Sequence, residues 1–181
     1  MNKFWILSLF LLFGFAPSKL VKTKMGGGVT VSLPADFYPM PPDDIAQRFP
    51  SVRAPLGAYT NQDRVVDFSA NISATQWPDA NLEVARKFFK AGLINLYDKV
   101  DVIDEGIQEV NKKKYIFFEF ESYVRGSKMQ LGSDDPILKY TYIQYLVQPK
   151  RTLVFSFSCP KDQREDWQET ARQMMKSVKV R

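Results

Sequence analysis

The chain has 181 residues, of which 45% are hydrophobic, 14% aromatic and 25% charged. These proportions exclude disordered and collagen-like chains, and the length suits one domain with a substantial core. The net charge is only +5, and the basic residues are scattered along the sequence rather than clustered, so we expect no nucleic-acid partner.

The chain has no histidine and one cysteine, Cys159. Without an imidazole it cannot form a Ser-His-Asp or Cys-His catalytic set, or a zinc site that contains histidine. One cysteine cannot form an intrachain disulfide. We therefore expect no cofactor and no metal site.

Residues 1–18 are predicted to be a signal peptide. A positive start at Lys3 precedes an apolar run over residues 4–16, and small residues at Ala16 and Ser18 suit cleavage after Ser18. The run is shorter than the roughly 20 apolar residues that span a bilayer, so no stable membrane span is expected after cleavage. We expect export to the periplasm or the extracellular space. The alternative is a membrane anchor formed by uncleaved residues 4–16.

The next part of the chain is expected to lead from a linker into a single domain. Residues 19–28 end in three glycines and are expected to be a flexible linker, and the domain is expected to fill residues 29–181. Six prolines between residues 34 and 55 predict loop, with at most a short helix at Asp43–Phe49. Alternating apolar residues predict three strands, at Val29–Pro34, near Leu56–Thr60 and near Arg64–Thr75.

A helix, four strands and a second helix are predicted to follow. The four strands are expected at Val100–Val110, Lys114–Val124, Leu138–Gln148 and Thr152–Ser158. One apolar stripe predicts the first helix, capped by Asp79 or Asn81, and it comprises Leu82, Ala85, Phe89, Leu93 and Leu96. The last helix is expected over Lys161–Val178, with Asp162 and Glu165 as a capping box. Its predicted buried stripe is Trp167, Ala171, Met174 and Val178.

Several predicted strands carry apolar residues on both faces, which indicates that helices cover both sides of the sheet. In the second of the four late strands, Ile116, Phe118 and Phe120 share one face. The fold class predicted from these patterns is α+β, with a mostly antiparallel sheet of about seven strands and helices packed on it.

This order of elements resembles the PsbP-like superfamily. The resemblance also rests on the opening GVTVSLPADF (residues 28–37), the strand pair after the central helix and the closing ARQMMKSVKV (residues 171–180). The superfamily includes the photosystem PsbP extrinsic protein, Mog-type Ran-binding proteins and DcrB-like envelope proteins. It implies an α/β/α sandwich and a role in binding or assembly rather than catalysis, and it assigns no functional residue.

Cys159 lies in the stretch FSFSCPKDQREDW, between the last predicted strand and the last helix. A thiol just before a helix start could be a nucleophile with a depressed pKa, or a redox-reactive or intermolecular thiol. Cysteine is also one of the most buried residue types, and a small core residue at this junction is the preferred interpretation.

Paired carboxylates would be the route to hydrolysis without histidine. The pairs are Asp43 with Asp44, Asp104 with Glu105, Glu119 with Glu121, and Asp134 with Asp135. Such chemistry requires one raised and one ordinary pKa in a cleft, and solvated faces are the preferred interpretation. The loop at residues 132–136 lacks the ligand spacing of a twelve-residue calcium loop.

Tyrosines on adjacent strands are the better indication of a binding surface, because exposed tyrosine and arginine are typical of interfaces. The predicted surface comprises Tyr115, Tyr123, Arg125, Tyr140 and Tyr142. Tyr145 lies on the same strands, and Lys139 lies near a strand end. Half-buried tyrosines under the helices are the other interpretation, and it is the preferred one.

The sequence therefore predicts a non-enzymatic, exported cell-envelope protein that binds another protein or an envelope component. No catalytic, cofactor-binding or metal-binding residue is assigned. The alternatives are a histidine-independent hydrolase that uses two carboxylates, and a carrier that holds a small apolar ligand between sheet and helix.

Overall fold

A computed structural model describes residues 19–49, 53–77, 81–125 and 136–181. The predicted signal peptide and its alternative, the anchor at residues 4–16, lie outside the described residues. The same is true of Asp79, Asp134 and Asp135.

Ten strands and three α-helices make up the described fold. In chain order they are β1 (Leu20–Lys24), β2 (Val29–Pro34), β3 (Tyr38–Pro39), α1 (Pro42–Arg48), β4 (Gly57–Thr60), β5 (Asp67–Ile72), α2 (Leu82–Leu96), β6 (Lys99–Val110), β7 (Lys113–Val124), β8 (Ile137–Gln148), β9 (Arg151–Pro160), α3 (Arg164–Ser177) and β10 (Lys179–Val180).

The main sheet has seven strands in the order β3-β4-β5-β9-β8-β7-β6, and all of its pairings are antiparallel. A smaller sheet has the order β1-β2-β10. The pairing of β5 with β9, which sets Phe68 opposite Phe157, joins the early hairpin to the late strands. The predicted antiparallel α+β fold is confirmed.

Helix α2 covers one face of the main sheet. Its amino-terminal cap is Asn81, as one of the two predictions had it, because the Asn81 Oδ1 accepts hydrogen bonds from the backbone N–H of Glu83 at 3.1 Å and of Val84 at 3.2 Å. Phe89 stacks on Tyr145, with ring centroids 4.3 Å apart. The predicted stripe is wrong at Leu96, which lies at the helix end and is 71% exposed.

Helix α3 and strand β2 cover the opposite face, so the prediction that both sides of the sheet are covered is confirmed. Ala171, Met174 and Val178 are buried, and the half-buried Trp167 ring contacts Phe157 at a centroid distance of 5.9 Å. The predicted capping box is wrong. A 3-10 turn over Lys161–Gln163 places Asp162 inside the turn, and no side chain caps the first turn of α3.

Residues 20–34 form a β-hairpin, so the prediction of a flexible linker is wrong from residue 20 to residue 28. Strand β1 pairs with β2 from Leu20 opposite Pro34 to Lys24 opposite Thr30. Gly27 and Gly28 have φ values of 65° and 78°, which glycine adopts without steric cost. The glycines therefore build the tight turn of this hairpin, and the N–H of Gly26 donates to the Leu56 carbonyl at 2.9 Å. The remaining divisions of the chain stay predictions.

Candidate functional site

A cleft of about 730 Å³ opens where β7 and β8 meet the start of α3. A smaller depression of about 130 Å³ adjoins it and shares Glu121, Leu138 and Lys161 with it. We call the two together the β7–α3 cleft. Its lining comprises Lys99, Asp101, Glu121, Ser122, Tyr123, Pro136, Leu138, Lys161, Asp162, Arg164 and Glu165.

Glu121 is the central charge of the β7–α3 cleft. Strand alternation directs Glu119 and Glu121 to the α3 side of β7. The Glu121 carboxylate accepts from Lys161 Nζ at 2.7 Å and from Arg164 Nη1 at 2.7 Å. The hydrogen bond from Lys161 lowers the pKa of Glu121, and the bond from Arg164 adds to this against the opposing effect of burial. Glu121 is therefore ionised at neutral pH.

Glu119, two residues earlier on β7, lies in the polar interior behind the cleft and is only 1% exposed. Its carboxylate accepts from Arg172 Nε at 3.0 Å, Arg172 Nη2 at 3.1 Å and the Tyr140 hydroxyl at 3.0 Å, and also from the Gln168 amide. The hydrogen bond to Glu119 raises the pKa of Arg172. These donors engage the Glu119 carboxylate, so the network positions α3 on the sheet and does not offer a reactive group.

Leu138 supplies the apolar part of the cleft wall and is 43% exposed. It faces the ion pairs of Glu121 with Lys161 and Arg164 across the same opening. An exposed apolar side chain surrounded by charged groups is the composition of a small protein-binding patch, with an apolar centre and a polar rim.

The five residues of the predicted tyrosine surface do not lie together on one exposed surface. Tyr115 and Tyr140 are fully buried and Tyr142 is 3% exposed, so the prediction that they belong to an exposed surface is wrong. They face α3 and β2 because the alternation of β7 and β8 points them into that core. Burial raises the pKa of Tyr115 and of Tyr142 to about 12, and it also raises the pKa of Tyr140.

The other two predicted surface residues stay accessible. Tyr123 lines the smaller part of the β7–α3 cleft, and Arg125 is exposed at the end of β7. The Arg125 backbone N–H donates to Asp98 Oδ2 at 2.9 Å. Only Tyr123 of the five is therefore brought to the cleft itself.

The described carboxylate pairs do not form an acid and base couple. Glu119 and Glu121 each face their own cations. Asp104 and Glu105 project from opposite faces of β6, and Glu105 bonds to Arg86 at 2.6 Å and Lys90 at 2.8 Å. Asp44 lies 3.7 Å from an Arg64 nitrogen.

Cys159 is fully buried beside Tyr140 on the neighbouring strand, which confirms its interpretation as a core residue. Burial, together with the nearby Asp162 and Asp166, raises the pKa of its thiol to about 12. A protonated, inaccessible thiol cannot act as a nucleophile.

No group of three metal-ligating side chains occurs within residues 19–49, 53–77, 81–125 and 136–181. In the same part of the chain, no helix is long and apolar enough to cross a membrane.

Sequence reasoning missed three residues of the cleft, Leu138, Lys161 and Arg164. The available signal was Glu119 and Glu121 on one face of a strand in which half of the other residues are aromatic. Charges in such a strand need cationic partners, and the basic residues three apart at the start of α3 supply them.

No protein-family model and no curated protein matches the sequence. Solved structures do match. The cyanobacterial PsbP, CyanoP, of Synechocystis sp. PCC 6803 aligns with a TM-score of 0.62 at 11% identity, covering 93% of this chain and 96% of that one. The chain has a PsbP-like fold.

Two other PsbP-like structures agree with this assignment. The Ran-binding protein Mog1p of Saccharomyces cerevisiae has a TM-score of 0.57 at 12% identity, over 90% of this chain and 96% of its own. LpqN of Mycobacterium tuberculosis, which is involved in cell envelope biogenesis, has a TM-score of 0.56 at 13% identity, over 88% and 90%. The predicted resemblance to the PsbP-like superfamily is confirmed as a fold.

Proposed function

We propose that this chain is a non-enzymatic, exported cell-envelope protein that binds a protein partner through the β7–α3 cleft. The observation that carries the proposal is the exposed Leu138 beside the ion-paired Glu121, Lys161 and Arg164 in a cleft of about 730 Å³. An apolar contact gives affinity, and the surrounding charges select the partner.

The chemistry of the cleft supports binding over hydrolysis. A general acid needs a raised pKa so that it keeps a proton at neutral pH. The pKa of Glu121 is lowered instead, and the Glu119 carboxylate is occupied by four donor atoms. The charged lining also suits a peptide surface better than a small apolar ligand.

A sequence pattern and two structural comparisons support the proposed location and role. The first 18 residues have the pattern of a signal peptide. Among the structures with the same fold, LpqN is involved in cell envelope biogenesis and Mog1p binds Ran. The first fits an envelope location for this chain, and the second fits a binding role.

The test places a photo-cross-linking amino acid at position 138 in the full chain, expressed in its own host cells. We expect one discrete cross-linked protein. A matched chain with the cross-linker at position 87, which is exposed on α2, should not give it. Glu121→Lys combined with the position 138 cross-linker should reduce the product strongly, because the cleft would then hold three neighbouring cations.

Enzyme assays test the rival directly. The absence of a discrete product at position 138, together with turnover of an esterase or glycosidase substrate that Glu121→Gln abolishes, would overturn the proposed function. Export is tested separately, by cell fractionation and by the mass of the mature amino terminus.

A further inference from the structure

A second cleft, of about 440 Å³, lies at the opposite end of α3, and all of its ionisable side chains are basic. Its lining comprises Lys22, Gly28, Thr30, Ser32, Asn111, Lys112, Ser177, Lys179, Val180 and Arg181, and it includes no acidic side chain. We infer that this cationic cleft binds a phosphate-type oxyanion, a role independent of the β7–α3 cleft.

The register of the small sheet brings the basic residues together. Lys22 lies opposite Ser32, and Lys179 lies opposite Thr30, so all four project from the outer face of the sheet. The backbone N–H of Arg181 donates to Gly28 at 3.2 Å and holds the end of the cleft in place. Three separate strands and the β6–β7 turn therefore contribute to one opening.

The four cations of the cleft are not neutralised by the protein. Lys22, Lys112, Lys179 and Arg181 form no ion pair with any residue that the structure describes. The basic residues of the β7–α3 cleft differ, since Lys161 and Arg164 are both paired with Glu121. Unpaired cations that share one concave opening create a local positive potential that attracts an anion.

Among the described residues, the backbone carbonyls at this end of the molecule accept hydrogen bonds from other groups and not from these four basic side chains. The Asn111 amide donates to the Val178 carbonyl at 2.7 Å, and Lys113 Nζ donates to the Val180 carbonyl at 2.7 Å. The Ser177 hydroxyl caps the Met174 carbonyl at 2.6 Å. Neighbouring groups thus satisfy the acceptors, and the four lining cations keep their donors for a ligand.

The conformation of Lys112 is the independent sign that this charge serves a purpose. Lys112 has a φ of 65° in the two-residue turn between Val110 and Lys113, a position that glycine fills without strain. A lysine that occupies a left-handed turn position, with its side chain on the cationic cleft, points to a function for the ammonium group.

The chemistry of the cleft suits a phosphate group. Lysine ammonium groups are strong point donors to phosphate oxygens, and arginine binds them with a planar fork. The volume exceeds that of one phosphate, so a phosphate carried on a lipid headgroup or free in solution would both fit. Thr30, which also lines the cleft, has a hydroxyl group that can act as a neutral donor.

The test uses the protein in the form that cells accumulate, with two probes. Binding of inorganic phosphate is followed by amide chemical shifts, and binding of phosphatidylcholine vesicles with and without phosphatidylglycerol is followed by co-sedimentation. A lysine near an anionic surface contributes about fivefold in affinity, so Lys112→Glu with Lys179→Glu should weaken binding at least about tenfold. Lys87→Glu with Lys150→Glu changes the net charge equally at exposed positions outside both clefts and should leave binding within about twofold.

A third variant separates binding from folding. Lys112→Gly removes one cation and suits the turn, so it should weaken binding about fivefold while the melting temperature does not fall. Binding of phosphate without vesicles would assign a soluble phosphate, and binding of phosphatidylglycerol vesicles alone would assign a lipid headgroup. The proposal is overturned if neither probe binds, or if the control pair weakens binding as much as the cleft pair does. None of these variants lies in the β7–α3 cleft. Failure of the oxyanion proposal therefore leaves the cross-linking result at position 138 unaffected.

Discussion

Arg172 of α3 donates hydrogen bonds to both carboxylate oxygens of Glu119 on β7, with Nε 3.0 Å from Oε2 and Nη2 3.1 Å from Oε1. This pair joins the last helix to the main sheet, together with the hydrogen bonds that Gln168 and Tyr140 donate to the same carboxylate. Because Glu119 is 1% exposed, protein donors rather than water satisfy its carboxylate.

Arg172→Met should destabilise the protein by about 3–5 kcal/mol, because it leaves a buried carboxylate without its cation. Chemical denaturation measures the change in unfolding free energy. Arg125→Met is the matched control, since Arg125 is exposed and its guanidinium is 3.6 Å from Asp98, and it should cost less than about 1 kcal/mol. Equal effects of the two substitutions would contradict the role given to the Glu119 network.

Cys159 should be unreactive in the folded protein. Its burial and raised thiol pKa predict that iodoacetamide labels it only after denaturation, as mass spectrometry would show. Cys159→Ser should cost about 1–3 kcal/mol, because it buries a hydroxyl, and should leave partner binding intact. Rapid labelling of the native protein, or loss of binding with unchanged folding, would refute this account.

Stability should fall as pH rises above about 9. The Cys159 thiol has a pKa of about 12 in the folded chain against an ordinary value of 9.0, so the unfolded chain loses this proton first. The free energy of unfolding then decreases by about 1.4 kcal/mol per pH unit, until the folded pKa is reached. Tyr115 and Tyr142, raised from 10.0 to about 12, add to the decline above pH 10. Cys159→Ala should flatten the segment between pH 9 and 10, and an unchanged slope there would be evidence against the assignment.

Lys112→Gly should stabilise the β6–β7 hairpin by about 0.5–1 kcal/mol, because glycine relieves the left-handed turn position and completes an Asn-Gly turn. Lys114→Gly, two residues later inside β7, should have the opposite sign and cost about 0.5–1 kcal/mol. Thermal unfolding of both variants gives the comparison. Destabilisation by both would mean that the backbone of the turn is not under strain.

Gly57→Ala should destabilise the protein by about 1–3 kcal/mol, because the new methyl group would lie 2.8 Å from Met25 Cγ and 2.9 Å from Met25 Sδ. The Met25 side chain would have to move away from β4. Gly92→Ala, on the exposed side of α2 with no atom within 4 Å of the new methyl, should instead stabilise by about 0.5–1 kcal/mol. A neutral Gly57→Ala would show that Met25 is not packed on β4.

The fold class was accessible from the sequence because its signals are local. Period-two alternation in β7 and β9, and the stripe of Ala85, Phe89 and Leu93 in α2, follow from how strands and helices expose their residues. Asn81 could be recognised as a cap for the same reason. The burial of Cys159 was inferred from its residue type and was correct.

Local patterns could not decide which strands pair or which side chains of a strand are covered. Three consecutive glycines suit both a linker and a tight turn, and only the hydrogen bonds of β1 to β2 made them a turn. Tyr115, Tyr140 and Tyr142 have the composition of a binding surface, but α3 and β2 cover them. A tyrosine has both an apolar ring and a polar hydroxyl, so its sequence context does not tell which of the two environments it occupies.

The two clefts show most clearly what local sequence patterns could not predict. Lys22, Lys112, Lys179 and Arg181 are spread over most of the chain, and they share an opening only because β1, β2, β10 and the β6–β7 turn meet there. Glu121 meets Lys161 and Arg164 for the same reason. The sequence by itself determined strands β2, β4, β5 and β6 to β9, helices α2 and α3, and the two-sided sheet, since those depend on the spacing of neighbouring residues. The tertiary structure alone decided which charges stand together, because electrostatic contacts depend on distance in space and not along the chain.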